Sequence, residues 1–526
     1  MPNQSESRER VPAWLIGSAV CYSVALILTI GSGSLWTDEA FSAYMASQRT
    51  LGSFVSTLLA GDSSDLQMAA YYLYLHWWTS LFGSSEVALR AANVPFIVVF
   101  AFTFVWIAWR VFRSRWIWVA PALLPFLWTY AHEARPYFAL VAMGAVAFGC
   151  LLAWFERPTE KERRFLPWLV LGSLFLGSTL HMLMLLAVAP LLAIVFIYGR
   201  PLEGNFDWAA WKPALRAFAL PFLLLLTYIA WTFFRGTAYD YAKPGILSMG
   251  SIFYRFLGLT AFGPNRRFDI PFSPYLPVLI AASLVLLITL AGVVAVGLRT
   301  KNRGRLVSLF WAFLLAMLQV VALSVILQKQ VDVRHLGAVV PLLLILLVAA
   351  LSEPSGRKTF NLSRASALLL AVLWACADFR LLFLPDYKEE DFRSAVNKAV
   401  AIYGQSKADI ALVADPAGAG YYGLQLNGDR PCFPWLDTCA EAEKKVAWIE
   451  KAPAVYALPW KKPQITAWLD ARSRTATPVV VIMSRGRHPS VLDSDWWPVL
   501  RSRPQSIQYS VQGFSVYFIE SPTTAK

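Results

Sequence analysis

Asp38 and Glu39 stand side by side in the run Trp36-Thr37-Asp38-Glu39-Ala40, directly after an apolar segment from Val11 to Ile30. Adjacent carboxylates can take or hold a proton for a reacting group. Two of them at the edge of a bilayer are costly unless something pairs or uses them. Acidic residues at a helix start also serve as solvated caps, so the pair alone leaves both readings open. Other ionisable side chains fall in comparably placed breaks between apolar runs: Asp65, His132, Glu133, Arg135, His181, Lys243, Arg255, Arg334 and His335.

Composition assigns the class of chain that must position them. Of 526 residues 57% are hydrophobic and 15% charged, with 22 Trp, and the mean hydropathy is +0.50. Soluble domains are roughly a quarter charged, so the departure is towards a polytopic membrane protein. The net charge of +14 is not read as a nucleic-acid signal, because the basic residues sit in short loops between apolar runs, where they orient a membrane chain. The first apolar segment is longer than a usual signal-peptide core and reads as a retained signal-anchor helix.

Hydropathy gives about 11 crossings, near residues 12–32, 89–110, 115–131, 136–155, 165–181, 183–199, 216–234, 274–298, 306–327, 335–352 and 365–384. With Arg8 and Arg10 cytoplasmic, the clusters Arg110–Arg115, Arg157–Arg164, Arg200–Arg216, Arg299–Arg305 and Arg357–Arg364 all fall on the cytoplasmic side. This is the positive-inside pattern. Dividing 165–199 at His181 into two crossings preserves it; a single crossing would put the basic loop 299–305 outside. The candidate residues above then share the extracytoplasmic side.

Between the first two crossings, Ala40–Arg49, Leu51–Ala60 and Met68–Phe82 read as helices lying in the interface, the last rich in Tyr and Trp. A competing reading makes 66–82 a true crossing and inverts every later loop. The membrane part thus covers 1–385, with a first outer loop 33–88 and a long outer loop 235–273. Residues 386–526 read as a soluble extracytoplasmic α/β domain: an amphipathic helix at Asp391–Tyr403, buried strands at Ile410–Val413 and Val479–Met483, and a strand or hairpin at Tyr509–Ile519. Cys432 and Cys439 are candidates for a disulfide there, whereas Cys21, Cys150 and Cys376 read as core residues of spans.

The order of Asp38-Glu39 after the first span, the helix Tyr71-Tyr72-Leu73-Tyr74-Leu75-His76-Trp77-Trp78, Leu81-Phe82-Gly83-Ser84-Ser85-Glu86 with Ala88-Leu89-Arg90, and Glu133-Ala134-Arg135-Pro136-Tyr137 resembles the integral-membrane glycosyltransferases of the GT-C superfamily. It is most similar to the bacterial branch related to protein O-mannosyltransferases and lipid A aminoarabinose transferases. Arg334-His335-Leu336, with Pro341 inside the tenth span, resembles that branch's basic-aromatic pair. The resemblance covers about residues 12–385. Many relatives carry a His-Pro-Pro or Lys-Pro element before the Tyr-rich helix. Here that stretch reads Asp65-Leu66-Gln67-Met68-Ala69-Ala70, with Asp65 as the polar candidate to substitute.

The resemblance implies transfer of a sugar from a polyprenyl-phosphate carrier to an outer-face acceptor. It implies Asp38 as the base for the acceptor hydroxyl and Glu39 as a supporting residue. The leaving phosphate calls for cations; Arg135 and Arg334 are favoured, with Lys243 and Arg255 behind them. Asp65, His132, Glu133, His181 and His335 are expected to contact the acceptor or support the site. No cofactor is expected; the histidines leave a divalent metal open, although none is paired at helical ligand spacing. The expected partners are the lipid-linked sugar, an envelope acceptor and the bilayer of a bacterial inner membrane. A transporter or flippase of a lipid-linked saccharide, or a non-catalytic assembly subunit, are the alternatives. Mid-membrane charge and repeated halves would mark a transporter; here most charges gather at one end, and no internal repeat is apparent.

Overall fold

The computed structural model describes residues 11–48, 50–60, 63–113, 119–156, 158–198, 207–234, 276–297, 303–327, 333–352, 358–383, 391–406, 408–413, 418, 421–422, 445–447, 454–457, 470, 478–484, 506–511 and 514–519. Lys243, Arg255, the loop 235–273 and the Cys432/Cys439 pair lie outside the described residues.

α1 (Ala13–Leu28) opens the helical body. Leu15, Ala19, Tyr22 and Leu26 are buried on one side, while Trp14, Ile16, Val20, Val24 and Leu28 are exposed on the other. A helix apolar all round suits a lipid-facing position. Next come α2 (Thr37–Ala46), α3 (Leu51–Ala60), α4 (Ser63–Leu66) and α5 (Ala69–Phe82). α5 is only 14 residues long, shorter than a crossing requires.

α6 (Glu86–Ala91), α7 (Val94–Ile107) and a π-helical turn (Ala108–Phe112) follow. Residues 115–131 depart from expectation, because α8 (Val119–Leu123) and α9 (Pro125–Ala131) are separate short helices. Leu124 between them is extended, with ψ 113°, as the residue before a proline prefers. α10 (Tyr137–Phe155) is the axis of the body, buried at every residue from Tyr137 to Trp154 except Val146.

α11 (Glu160–Leu180) starts on a capping box, Thr159 Oγ1 accepting from the Glu162 N–H and Glu162 Oε2 accepting from the Thr159 N–H. It ends where the sequence division falls: His181 is extended, with φ −159° and ψ 124°. A 3₁₀ turn (Met182–Ala187) and α12 (Val188–Tyr198) continue from it. α13 (Trp208–Phe234), α14 (Leu276–Gly297) and α15 (Arg303–Leu327) lead to a second 3₁₀ turn (Val333–Ala338), then α16 (Val340–Ser352) and α17 (Lys358–Phe383). Pro341 therefore sits in the first turn of α16, where its missing N–H costs nothing.

Among the described residues three helices are long and apolar enough to cross a membrane, Glu86–Phe112, Tyr137–Phe155 and Trp208–Thr232, and four shorter ones are apolar. This is fewer than the 11 expected. Cys150 is buried, but Cys21 and Cys376 are exposed on apolar helix faces and do not belong to the core.

Past residue 390, α18 (Phe392–Ser406) packs its buried Phe392, Ala395, Val396, Ala399 and Ile402 on a sheet through Ile410, Val480, Ile482 and Val516. The strands are β1 (Asp409–Val413), β2 (Lys445–Ala447), β3 (Ala454–Ala457), β4 (Val479–Ser484), β5 (Ser506–Val511) and β6 (Phe514–Ile519). Their order is β2-β3-β1-β4-β6-β5. β1 runs parallel to β3 and β4, while β5 and β6 form the antiparallel hairpin. The expected helix, strands and hairpin are all present.

The 3₁₀ turn carrying Arg334 and His335 lies against α10 with almost no clearance. A Cβ on Gly144 would collide with the Ala338 carbonyl, and one on Gly337 would stand 2.8 Å from the Tyr137 carbonyl oxygen. Gly337→Ala is therefore expected to lower stability by about 1–3 kcal/mol through overpacking. Gly17→Ala, with nothing within 4 Å of the new methyl, is the control. Thermal unfolding of the purified protein in detergent compares them.

Candidate functional site

Asp38 and Glu39 occupy the first turn of α2. Neighbouring helical residues diverge by about 100°, so the two carboxylates serve different surroundings. Glu39 points inward and is 1% exposed. Its Oε1 accepts from Arg90 Nε at 2.8 Å and from the Ala134 N–H at 2.9 Å. Its Oε2 accepts from Arg90 Nη2 at 2.7 Å and from the Trp36 N–H at 3.4 Å. Arg90 also donates from Nη1 to the carbonyls of Gly31 and Gly33, each at 2.9 Å, and from Nη2 to that of Ser34 at 3.1 Å. All five guanidinium donors are thereby used. Sealed in this way, Glu39 is turned away from the exposed side of Asp38 and is fully taken up by Arg90 and two backbone amides.

Asp38 points the other way and keeps 24% of its side-chain surface exposed. Its Oδ2 pairs with Arg334 Nη1, and Arg135 Nη2 stands 3.9 Å from the same atom. Arg135 is buried and its Nη1 donates to the Asp38 carbonyl at 3.2 Å, Ser42 Oγ at 3.3 Å and Tyr72 Oη at 3.0 Å. Tyr72 Oη in turn donates to Asp65 Oδ1 at 2.8 Å. Asp65 is thus tied to the site through Tyr72 and Arg135, a supporting position.

Aromatic rings hold the cations in place. The Arg334 guanidinium carbon lies 5.6 Å from the ring centres of both Trp36 and Tyr137, and that of Arg135 lies 5.8 Å from the Tyr137 ring. Cation–π contact of this kind suits arginines in a partly desolvated pocket. His181 and His335 flank the same tyrosine, their centroids 5.9 and 6.1 Å from it and 6.1 Å from each other. His181 Nδ1 accepts from the Leu183 N–H at 3.2 Å, which fixes the ring. Among the described residues no group of three or more His, Cys, Asp or Glu is placed to hold a metal ion.

Asp38, Arg135, Arg334, Asp65, His181 and His335 are therefore brought together, from segments nearly three hundred residues apart in the case of the Arg334–Asp38 bond (296 residues). His132 and Glu133 are placed differently. His132 Nε2 is 3.0 Å from both the Leu26 carbonyl and Thr29 Oγ1, binding the end of α1. The Glu133 carbonyl accepts from Asn93 Nδ2 at 2.6 Å and from the Arg135 N–H at 2.7 Å, so its backbone shapes the turn that presents Arg135. Sequence reasoning did not single out Arg90, Trp36, Tyr72 or Tyr137 as site residues. Arg90 had one usable signal: it is the cation at the head of a long apolar run, and an intramembrane charge calls for a partner.

No family model matches the sequence, and no curated protein matches it. Among solved structures the chain is similar to ArnT from Cupriavidus metallidurans bound to undecaprenyl phosphate, at 12% identity over 96% of this chain and 97% of that one, with a TM-score of 0.46. The apo state of the same protein matches with a TM-score of 0.48 at 12% identity over the same spans. The arabinofuranosyltransferase AftD from Mycobacteria matches at 13% identity, covering 97% of this chain and 40% of that one, with a TM-score of 0.43.

Removing one partner of a fully used buried pair leaves the other charge stranded, so Glu39→Ala is expected to cost about 3–5 kcal/mol. A lowered unfolding temperature, with reduced yield of folded protein, is the readout. His132 adds a pH dependence: burial holds its pKa down at about 4, against a partial rise from the Leu26 carbonyl. The unfolded chain protonates this ring first as pH falls from about 6.5. Its contribution of about 3 kcal/mol is present above that pH and is lost between there and about pH 4. Unfolding midpoints measured from pH 7.5 to 4.5 should show this loss, and His132→Gln should flatten it.

Proposed function

We propose that the protein transfers a sugar from a polyprenyl-phosphate-linked donor to a hydroxyl of a glycolipid, polysaccharide or protein acceptor on the extracytoplasmic face of a bacterial inner membrane, with inversion. The observation that carries this reading is the partly open Asp38 carboxylate set against two aromatic-backed guanidiniums, Arg334 and Arg135, at one end of a bundle with lipid-facing helices. Charge placement in the loops and the GT-C resemblance of the surrounding motifs support it.

Each side chain has a part in a single displacement. The acceptor hydroxyl hydrogen-bonds Asp38, and its oxygen forms the new bond to the anomeric carbon as the bond from that carbon to the phosphate oxygen breaks. The hydroxyl proton passes to Asp38, and the charge developing on the leaving phosphate is met by Arg334 and Arg135. Attack opposite the leaving group inverts the centre. A phosphate offers the arginines the bidentate geometry that a carboxylate offers, so donor binding competes with Asp38 for Arg334 and frees the carboxylate for the acceptor. Asp65 acts at a distance by holding Tyr72, and through it Arg135. The transfer as proposed uses no cofactor.

Asp38→Asn removes the proton acceptor while leaving the arginines in place. Transfer by the purified protein should fall by about 10²–10⁴-fold with donor affinity retained. Arg334→Ala should raise the donor KM and lower kcat together. Undiminished transfer by Asp38→Asn would remove Asp38 as base. No transfer by the wild type with any polyprenyl-phosphate sugar would favour a transporter or an assembly subunit.

A further inference from the structure

Among the described residues the C-terminal domain holds the helical body at the segment 32–35, which runs on to Asp38, and at the neighbouring residues Ser84 and Glu86. Arg393, in the first turn of α18, donates from Nη2 to the Ser32 carbonyl at 2.8 Å, and its backbone N–H donates to Ser34 Oγ at 3.2 Å. Tyr422 Oη accepts from the Leu35 N–H at 2.7 Å. Arg393 also pairs with Glu86 and lies 5.6 Å from the Tyr422 ring centre, while Tyr421 Oη donates to the Ser84 carbonyl at 2.8 Å.

Docking a domain requires only surface contact. Here the contacts reach carbonyl, hydroxyl and amide groups of the very stretch that Arg90 holds through the carbonyls of Gly31, Gly33 and Ser34. This stretch has no regular structure of its own between the end of α1 and the start of α2. Its path is therefore set by these two sets of donors and acceptors. It ends at Trp36, whose ring backs Arg334, two residues before Asp38.

We propose that Arg393 and Tyr422 are positioning residues, and that the C-terminal domain clasps the Gly31–Trp36 segment so that Trp36 and Asp38 stand correctly against Arg334. The kinetic part of this rests on the transferase reading; the clasp itself does not. A small displacement of reacting groups is enough to matter, since about 1 Å can cost 10²-fold in rate.

The test uses the full-length protein in lipid nanodiscs, with Tyr422→Phe, Arg393→Ala and Arg393→Lys. Tyr422→Phe removes one hydroxyl and keeps the ring, so it guards against a variant that does not fold. Hydrogen exchange of peptides covering 31–40 should quicken about three- to tenfold in Tyr422→Phe and Arg393→Ala, the worth of about one hydrogen bond, with peptides of α10 unchanged. In a polyprenyl-phosphate sugar assay kcat should fall about 10- to 100-fold while the donor KM stays within about twofold, and Arg393→Lys should recover part of kcat. Unchanged exchange at 31–40 would overturn the clasp, and faster exchange with an unchanged kcat would overturn the positioning role. If the wild type transfers no sugar, the transferase reading falls, and the exchange result alone decides the clasp.

Discussion

The structure around the site depends on one buried ion pair. Arg90 and Glu39 are both nearly sealed from solvent, and such a pair is tolerable only when every remaining donor and acceptor is met. Here they are met by backbone groups of two pieces of chain: the 31–36 segment, through the carbonyls of Gly31, Gly33 and Ser34 and the Trp36 amide, and the 133–135 turn, through the Ala134 amide. The pair thus converts the cost of burying charge into a fixed meeting point for α1, α2, α6 and the 133–135 turn.

Two functions of adjacent carboxylates follow from that meeting point. With Glu39 turned inward, helical geometry turns Asp38 outward, and the 133–135 turn, anchored by the same glutamate, delivers Arg135 beside it. Arg334 comes from the far end of the helical body on a short 3₁₀ turn seated on α10 through glycines. Tyr137 is the common surface: both arginines and both histidines lie against its ring. Two guanidiniums so close repel each other, and the Asp38 carboxylate beside them offsets that repulsion.

The C-terminal domain adds a second hold on the same segment. Arg90 reaches 31–34 from within the helical body, and Arg393 and Tyr422 reach 32–35 from the sheet domain. A loop held by both sets of bonds is restricted in the path by which it enters α2. Among the described residues the clasp works through directed hydrogen bonds, which specify position better than they add stability.

Much of the architecture was legible in the residues alone. Apolar runs marked the helices, apolar spacing marked the short helix 51–60, Tyr and Trp marked the helix 69–82, and alternation marked the strands of the last domain, because each of these signals is local and periodic. The break at His181 was legible for the same reason. The split at Leu124–Pro125 was missed because hydropathy averages over a proline. Asp38, Arg135 and Arg334 were found as charges in costly places, which is a property of composition and position. What only the tertiary structure decided is which of those charges meet. That Glu39 faces Arg90 and not a substrate, that His132 clamps α1, and that Trp36, Tyr72 and Tyr137 frame the arginines all depend on helix rotation and on contacts across 50 to 300 residues, as in the 51-residue separation of Glu39 and Arg90. No local pattern encodes such a pairing, because it is set by how whole helices pack against α10.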